Sequence, residues 1–120
     1  MHEISRARGT LGEIRAEQLL AQKGYEILAR SYVSPGSEID LIAGDGSVIV
    51  FVEVKLRTGR FASGREAVTP AKQRRICKGA MYYMMRNGLM NRQARFDVLE
   101  IQGGRVTYIR NAFPYQGPSF

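Results

Sequence analysis

The most constraining feature of the sequence is the segment Val48 to Leu56, VIVFVEVKL, which is dominated by β-branched and aromatic residues. Such residues favour strands, and a nearly continuous apolar run is typical of a strand buried on both faces. A second apolar segment, Glu38 to Ala43, precedes it and is separated from it by the turn sequence Gly44-Asp45-Gly46-Ser47. The pattern predicts a β-hairpin whose second strand lies at the centre of a sheet.

Glycine and proline residues divide the rest of the chain into short elements. We predict a helix from about Gly9 to Lys23, strands at Tyr25–Tyr32, Glu38–Ala43 and Val48–Leu56, a helix from Thr69-Pro70 to about Asn87-Gly88, and strands at Arg95–Ile101 and Arg105–Arg110. The order α-β-β-β-α-β-β predicts an α/β fold: a single three-layer-like domain over residues 1–120, with a mixed β-sheet flanked by helices. Its ends, about 1–8 and 114–120, are expected to be flexible.

Charge and cysteine content restrict the classes of function. The chain carries 18 Lys and Arg residues against 11 Asp and Glu residues, a net charge of +7, which favours a polyanionic partner such as nucleic acid. A single cysteine, Cys77, and a single histidine, His2, argue against a disulfide framework and a structural zinc site. No apolar stretch is long enough for a membrane span or a signal peptide. We therefore expect a cytoplasmic protein without a membrane partner.

Three charged residues interrupt the two apolar strands of the hairpin. Asp40 lies in the first strand, and Glu53 and Lys55 lie on one face of the second strand, because side chains alternate between faces. Pairing across the turn joins residues whose numbers sum to about 91 to 93, which sets Asp40 opposite Val52 or Glu53. Two carboxylates this close repel each other unless a cation neutralises them, and a divalent metal ion would do so. An ordinary ion-paired surface is the alternative, but the apolar flanks favour a functional site.

The segment from Lys55 to Arg95 holds eleven basic residues and a single carboxylate, Glu66. Such a bias predicts a surface for the phosphate backbone of nucleic acid, and a solvated helix face is the alternative. The residues that we predict to bind nucleic acid are Arg57, Arg60, Arg65, Lys72 and Arg75. No base-reading motif is present, so recognition of shape or backbone is expected rather than recognition of sequence.

Asp40 is followed after twelve residues by the Glu53-Val54-Lys55 tripeptide, and a helix that contains Gly12-Glu13 precedes both. This pattern resembles that of the metal-dependent PD-(D/E)XK nucleases, a superfamily that includes restriction endonucleases and Holliday-junction resolvases. More closely, the chain resembles the YraN-like family of small bacterial proteins. The matching stretches are GTLGE at 9–13, KGYEILAR at 23–30, EIDLIA at 38–43, VFVEVKLR at 50–57, EAV at 66–68, RFDV at 95–98 and NAF at 111–113. The resemblance covers nearly the whole chain and implies a restriction-endonuclease-like fold.

The resemblance also implies roles for individual residues. Asp40 and Glu53 would be metal ligands, the backbone carbonyl of Val54 would be another, and Lys55 would be the catalytic lysine. Glu13 would match the helix glutamate of resolvase-like members as a further catalytic residue and ligand, with Glu17 as the alternative. The motif's usual proline before the aspartate is Ile39 here.

These implications define the expected function. The chain would be a nuclease that depends on Mg²⁺ or Mn²⁺ and cleaves phosphodiester bonds of DNA, directed by structure rather than by sequence. The alternative is a nucleic-acid-binding module with a nuclease-like fold and no cleavage of its own. The methionine- and tyrosine-rich face of the second helix is expected to serve core packing, with a homodimer interface as the alternative.

Overall fold

The structure is a computed structural model that describes residues 2–57 and 68–117, with side chains described from Gly12 onward in the first helix. Its elements are α1 (His2–Gln22), β1 (Glu26–Ser34), β2 (Ser37–Asp45), β3 (Val48–Arg57), α2 (Pro70–Arg86), β4 (Ala94–Gln102) and β5 (Arg105–Phe113). The predicted α/β class and the predicted order of elements are confirmed.

The five strands form one mixed sheet in the order β1-β2-β3-β4-β5. Strands β3 and β4 are parallel, and the other neighbouring pairs are antiparallel. Parallel neighbours need a long crossover connection, and α2 lies within that connection. Strand β3 is the central strand, as its apolar sequence predicted.

Each face of the sheet is covered by one helix. Helix α1 covers one face, and its buried residues Ala16 and Leu20 pack with Leu41, Val52 and other residues of the sheet. Helix α2 covers the other face, where Ile76, Cys77, Ala80, Tyr83 and Met84 pack with Ile39, Ile42, Phe51, Phe96 and Val98. Within the described residues no helix is long and apolar enough to cross a membrane.

The element bounds differ from the predicted ones mainly at the two ends of the chain. Helix α1 begins at His2 rather than Gly9, because the polar segment before Gly9 has no apolar periodicity from which a helix can be predicted. Strand β5 continues to Phe113, whose ring stacks on Phe96 with centroids 5.1 Å apart. Helix α2 starts as predicted, with the Thr69 hydroxyl accepting a hydrogen bond from the Lys72 amide at 3.2 Å.

Strands β2 and β3 separate at one end of their hairpin. Their pairing runs from Asp45–Val48 to Leu41–Val52, a register sum of 93 that lies within the predicted range. Beyond Val52, β3 stays paired with β4 as far as Arg57, while β2 stays paired with β1. A fork therefore opens between β2 and β3, and Asp40 and Glu53 are the first residues inside it.

The regular alternation of β2 breaks at Asp40. Ile39 and Ile42 are three residues apart, yet both are buried in the cluster beneath α2, whereas Leu41 lies in the cluster beneath α1. Opposite this point on β1, Ser31 has a positive φ of 46°, which is uncommon outside glycine. The local distortion removes Asp40 from both pleated faces and leaves its carboxylate in the gap between β2 and β3.

Helix α2 approaches β2 most closely at Gly79. A Cβ atom at this position would lie 3.0 Å from Ser37 Cβ and 3.2 Å from Ile39 Cδ1. We expect Gly79→Ala to lower the free energy of unfolding by about 1–2 kcal/mol, because overpacking exceeds the gain in helix propensity. Urea unfolding measures this, with Gly104→Ala as the control, since a Cβ there meets nothing within 4 Å. An unchanged or higher stability of Gly79→Ala would contradict the close approach.

Candidate functional site

Asp40 is held in the fork by the backbone of β3. Its Oδ2 accepts a hydrogen bond from the amide of Val54 at 2.8 Å, although β2 and β3 are no longer paired there. In a strand, the N–H and C=O of one residue face the same neighbour. The carbonyl of Val54 therefore faces the β2 side as well, toward the gap that holds the Asp40 carboxylate.

Glu53 and two lysines form the second part of the site. The Glu53 side chain is only 5% exposed, and its Oε2 lies 2.7 Å from Lys72 Nζ and 3.9 Å from Lys55 Nζ. The close partner of Glu53 is thus Lys72 from the first turn of α2, and Lys55 on the same strand is the more distant one. These four residues, Asp40, Glu53, Lys55 and Lys72, are called the fork cluster below.

The electrostatics of the fork cluster follow from burial and from the crowding of its carboxylates. Burial, together with the negative charges of Glu53 and Glu13, raises the pKa of Asp40 to about 7, and the Val54 amide offsets part of this rise. At neutral pH the Asp40 carboxyl is therefore partly protonated in the protein alone. A nearby cation of charge two would remove that proton and keep both carboxylates ionised.

The two lysines differ in their proton affinity. Burial and the neighbouring Lys72 ammonium lower the pKa of Lys55. Burial also lowers the pKa of Lys72, but the hydrogen bond and charge of Glu53 outweigh burial, so its pKa is raised overall. Lys55 is thus the lysine of the pair that more readily releases a proton, whereas Lys72 is the firmly protonated partner of Glu53.

The side chains present suit a magnesium ion that keeps part of its hydration. Mg²⁺ usually binds one or two carboxylates and fills its other positions with water and substrate phosphate. Asp40, Glu53 and the Val54 carbonyl offer such a set of oxygen donors. Within residues 12–57 and 68–117, no three side chains of the His, Cys, Asp and Glu types are placed to hold a metal ion together.

The two glutamates predicted on α1 are placed differently. Glu13 is close enough to Asp40 for its charge to raise the pKa of that carboxyl. Glu17 instead makes a two-pronged ion pair with Arg30 on β1, at 2.8 and 2.9 Å. Of the two predicted glutamates, Glu13 is therefore the one whose charge reaches the fork cluster, and Glu17 is paired with Arg30.

The basic residues predicted to bind nucleic acid are only partly brought together. Arg57 makes an ion pair with Glu100 of β4, with Nε and Oε2 2.7 Å apart. Lys72 belongs to the fork cluster, and Arg75 is exposed on α2 one turn further along. Arg60 and Arg65 lie outside the described residues. Among the predicted residues that the structure describes, Arg75 is therefore the exposed cation on α2.

The pairing of Lys72 with Glu53 is the feature of the site that sequence reasoning missed. A helix N-terminus carries partial positive charge and favours acidic residues, but α2 has no acidic residue in its first turn and places Lys72 there. A lysine at this unfavourable position is a signal of a carboxylate opposite it. The parallel crossover brings that first turn over the end of β3, where Glu53 lies.

A second buried polar cluster stabilises the opposite end of the sheet. Arg95 donates to the fully buried Asp97 at 3.1 Å, to Asp45 at 3.0 Å and to the Tyr25 hydroxyl at 2.7 Å. The Tyr108 hydroxyl also donates to Asp97, and burial together with this carboxylate raises the pKa of Tyr108. These bonds join β2, β4, β5 and the residue that precedes β1, so the cluster has a structural role.

By its fold, the protein is an α/β domain with one mixed five-stranded sheet between two helices, and its polar cluster lies where two strands separate. The chain belongs to the Uncharacterised protein family UPF0102, whose model matches residues 12–101. This confirms the YraN-like family expected from the sequence.

Relatives in this family are similar over almost their whole length. The chain is 47% identical over 116 residues to the UPF0102 protein of Symbiobacterium thermophilum, which covers 92% of this chain and 98% of the relative. It is 44% identical over 108 residues to the UPF0102 protein of Desulfosudis oleivorans, with 88% of each chain covered. The UPF0102 protein of Saccharophagus degradans is 44% identical over 107 residues, covering 88% of this chain and 91% of the relative.

Proposed function

We propose that the protein is a divalent-metal-dependent nuclease that hydrolyses phosphodiester bonds of DNA. The observation that carries this proposal is the half-buried carboxylate of Asp40 beside the buried carboxylate of Glu53, at the opening of the fork. Burial and the negative charge of Glu53 raise the pKa of Asp40 to about 7, so the protein alone leaves negative charge there incompletely neutralised. Mg²⁺ or Mn²⁺ is the cofactor that fits this set of oxygen donors.

Each residue of the fork cluster has a role in this proposal. When bound, the metal ion would stabilise negative charge on a phosphoryl oxygen and lower the pKa of a bound water. Asp40, Glu53 and the Val54 carbonyl would hold the ion. Lys55, whose pKa is lowered by burial and by Lys72, would orient the attacking water and accept or return its proton.

The excess of positive charge on the chain supports DNA as the substrate. The chain has a net charge of +7, and α2 carries five basic residues with no acidic residue between Pro70 and Arg86. Phosphate contacts by such residues bind nucleic acid without reading its sequence. Direction by DNA structure rather than by sequence is therefore part of the proposal.

Metal binding is the first test of the proposal. We expect calorimetric titration of Mn²⁺ into the wild-type protein at pH 7.5 to show binding that Glu53→Gln removes, because the variant loses one carboxylate. Glu17→Gln is the matched control, since Glu17 pairs with Arg30 away from the fork, and its Mn²⁺ affinity should equal that of the wild type. Wild-type protein that binds no Mn²⁺ or Mg²⁺, with or without DNA, would contradict the nuclease.

A nucleic-acid-binding module without cleavage is the second candidate. It is favoured by the 2.7 Å contact between Lys72 and Glu53, which already neutralises one carboxylate without a metal ion. Cleavage assays with duplex, single-stranded, flap and four-way DNA separate the two functions. DNA binding that weakens steeply with salt, combined with no cleavage of any substrate in Mg²⁺ or Mn²⁺, would establish the binding module.

A further inference from the structure

An apolar groove lies on the outer face of α2 beside the C-terminal segment. It has a volume of about 470 Å³ and is lined by Arg74, Lys78, Met81, Tyr82, Met85 and Tyr115. Met85 is 59% exposed and Tyr115 is 40% exposed, so the described residues leave much of this apolar surface uncovered. The floor consists of methionine and tyrosine side chains, and its rim carries two cations.

A second cleft lies close to both the groove and the fork cluster. That cleft has a volume of about 450 Å³, and it lies between α2 and the turn joining β1 to β2. Lys72 lines the cleft and also contacts Glu53. Gly36 lines it too, and a Cβ at Gly36 would lie 3.7 Å from Nζ of Lys78, which lines the apolar groove.

Cations follow the whole route from the site to the groove. Lys72 and Arg75 line the cleft, and Arg74 and Lys78 line the groove. The cleft has one carboxylate, Glu38, so positive charge is in excess along the route. Positive charge beside exposed aromatic rings is the combination that proteins use to bind single-stranded nucleic acid.

One aromatic ring of the groove, that of Tyr82, contacts a neighbouring arginine on α2. The Arg86 guanidinium lies 5.5 Å from the centre of the Tyr82 ring and donates to the Tyr82 hydroxyl at 3.3 Å. Tyr82 is ten residues beyond Lys72, which corresponds to about 15 Å along a helix.

We propose that this groove binds an unpaired base of a DNA strand whose phosphodiester backbone runs from the fork cluster along α2. The inference rests on the proposed function and specifies its substrate class: duplex DNA with a short single-stranded arm. The base would stack on Tyr82 or Tyr115, and the phosphates on either side would contact Lys78 and Arg74. An apolar peptide suits the route less well, because it offers no negative charge to the cations.

Fluorescence anisotropy in EDTA tests the proposal with three labelled DNAs. They are a blunt duplex, the same duplex with a single-stranded arm of about six nucleotides, and that duplex with abasic sites throughout the arm. We expect the arm with bases to bind about 5- to 150-fold tighter than the abasic arm, as one stacked base contributes. Tyr82→Ala should reduce this ratio strongly, whereas Tyr82→Phe, which keeps the ring, should retain it.

The possible results separate this proposal from others. Equal affinity for the arm with bases and the abasic arm would overturn it. A wild-type dimer that Tyr82→Ala converts to a monomer without DNA, measured by light scattering, would also overturn it by assigning the groove to a second copy. Because the assay contains no divalent metal, a base-dependent preference without cleavage in Mg²⁺ would contradict the nuclease alone. Cleavage at the same rate for duplexes with and without the arm would contradict base binding in the groove, and it would leave the nuclease proposal intact.

Discussion

Lys55→Met is expected to lower the rate of Mg²⁺-dependent DNA cleavage by about 100- to 1,000-fold, a loss typical of removing a group that transfers a proton in the reaction. Lys55 Nζ lies 3.9 Å from Glu53 Oε2 at the mouth of the fork, and burial lowers its pKa. Methionine keeps the length and apolar stem of lysine but can neither donate a hydrogen bond nor carry a proton. Affinities for Mg²⁺ and for DNA should change little, because Lys55 supplies no oxygen ligand.

Single-turnover cleavage of a labelled DNA, measured beside metal titration of the same proteins, checks this expectation. Lys23→Met is the matched control, because Lys23 lies over the Tyr108 ring, 4.7 Å from its centre, on another part of the molecule. The control should cleave at the wild-type rate. A Lys55→Met protein whose cleavage rate is within about threefold of the wild-type rate would show that Lys55 takes no part in the reaction.

Asp40→Asn is expected to stabilise the metal-free protein above pH 7 while abolishing its metal binding and cleavage. Burial and Glu53 raise the pKa of Asp40 from 3.8 to about 7, so ionising this carboxyl in the folded state costs on the order of 4 kcal/mol. Asparagine keeps an oxygen that can accept the hydrogen bond from the Val54 amide, and it carries no charge. The variant therefore avoids the cost, as stabilising changes in functional sites often do.

The pH range of the effect follows from the two pKa values. Below pH 4 the carboxyl is protonated in both the folded and the unfolded chain, and it contributes no penalty. Between pH 4 and pH 7 the unfolded chain loses its proton first, so the free energy of unfolding of the wild type falls as pH rises. Above pH 7 the folded carboxyl is ionised too, and the penalty is complete.

Urea unfolding in EDTA at pH 4 and pH 8 measures this difference. The two proteins should have similar stability at pH 4, and Asp40→Asn should be the more stable protein at pH 8. Mg²⁺ should stabilise the wild type alone, because only its site binds the ion. Asp45→Asn is the control on the same hairpin, and it should stabilise at neither pH, since Asp45 pairs with Arg95 at 3.0 Å. An Asp40→Asn variant that is less stable than the wild type at pH 8 would show that ionising the Asp40 carboxyl does not destabilise the folded protein.

The hairpin could be predicted from the sequence because local rules determine it. The turn at Gly46 fixed the register, so Asp40 and Glu53 could be placed together from their numbers alone. Alternation along β3 then placed Lys55 on the face of Glu53. The crowded carboxylate pair therefore followed from turn position and the period of a strand.

Two features of the site could not be predicted in this way. The pairing of Lys72 with Glu53 depends on the packing of α2 across the sheet, and the strand period gives no information on such packing. The break in alternation at Asp40 lies opposite the positive φ of Ser31 on the neighbouring strand. Serine carries no strong preference for that conformation, so its sequence position gave no signal.

The parallel pairing of β3 with β4 has a consequence for the order in which the molecule assembles. Asp40 and Glu53 meet through a hairpin, and hairpins form within about 1–10 microseconds. Lys72 reaches Glu53 only when the crossover closes, and contacts between distant parts of a chain form more slowly. The two carboxyls thus come together before their neutralising ammonium arrives. We therefore expect acidity to favour the hairpin before the crossover closes, because protonation then relieves the repulsion that Lys72 relieves in the folded protein.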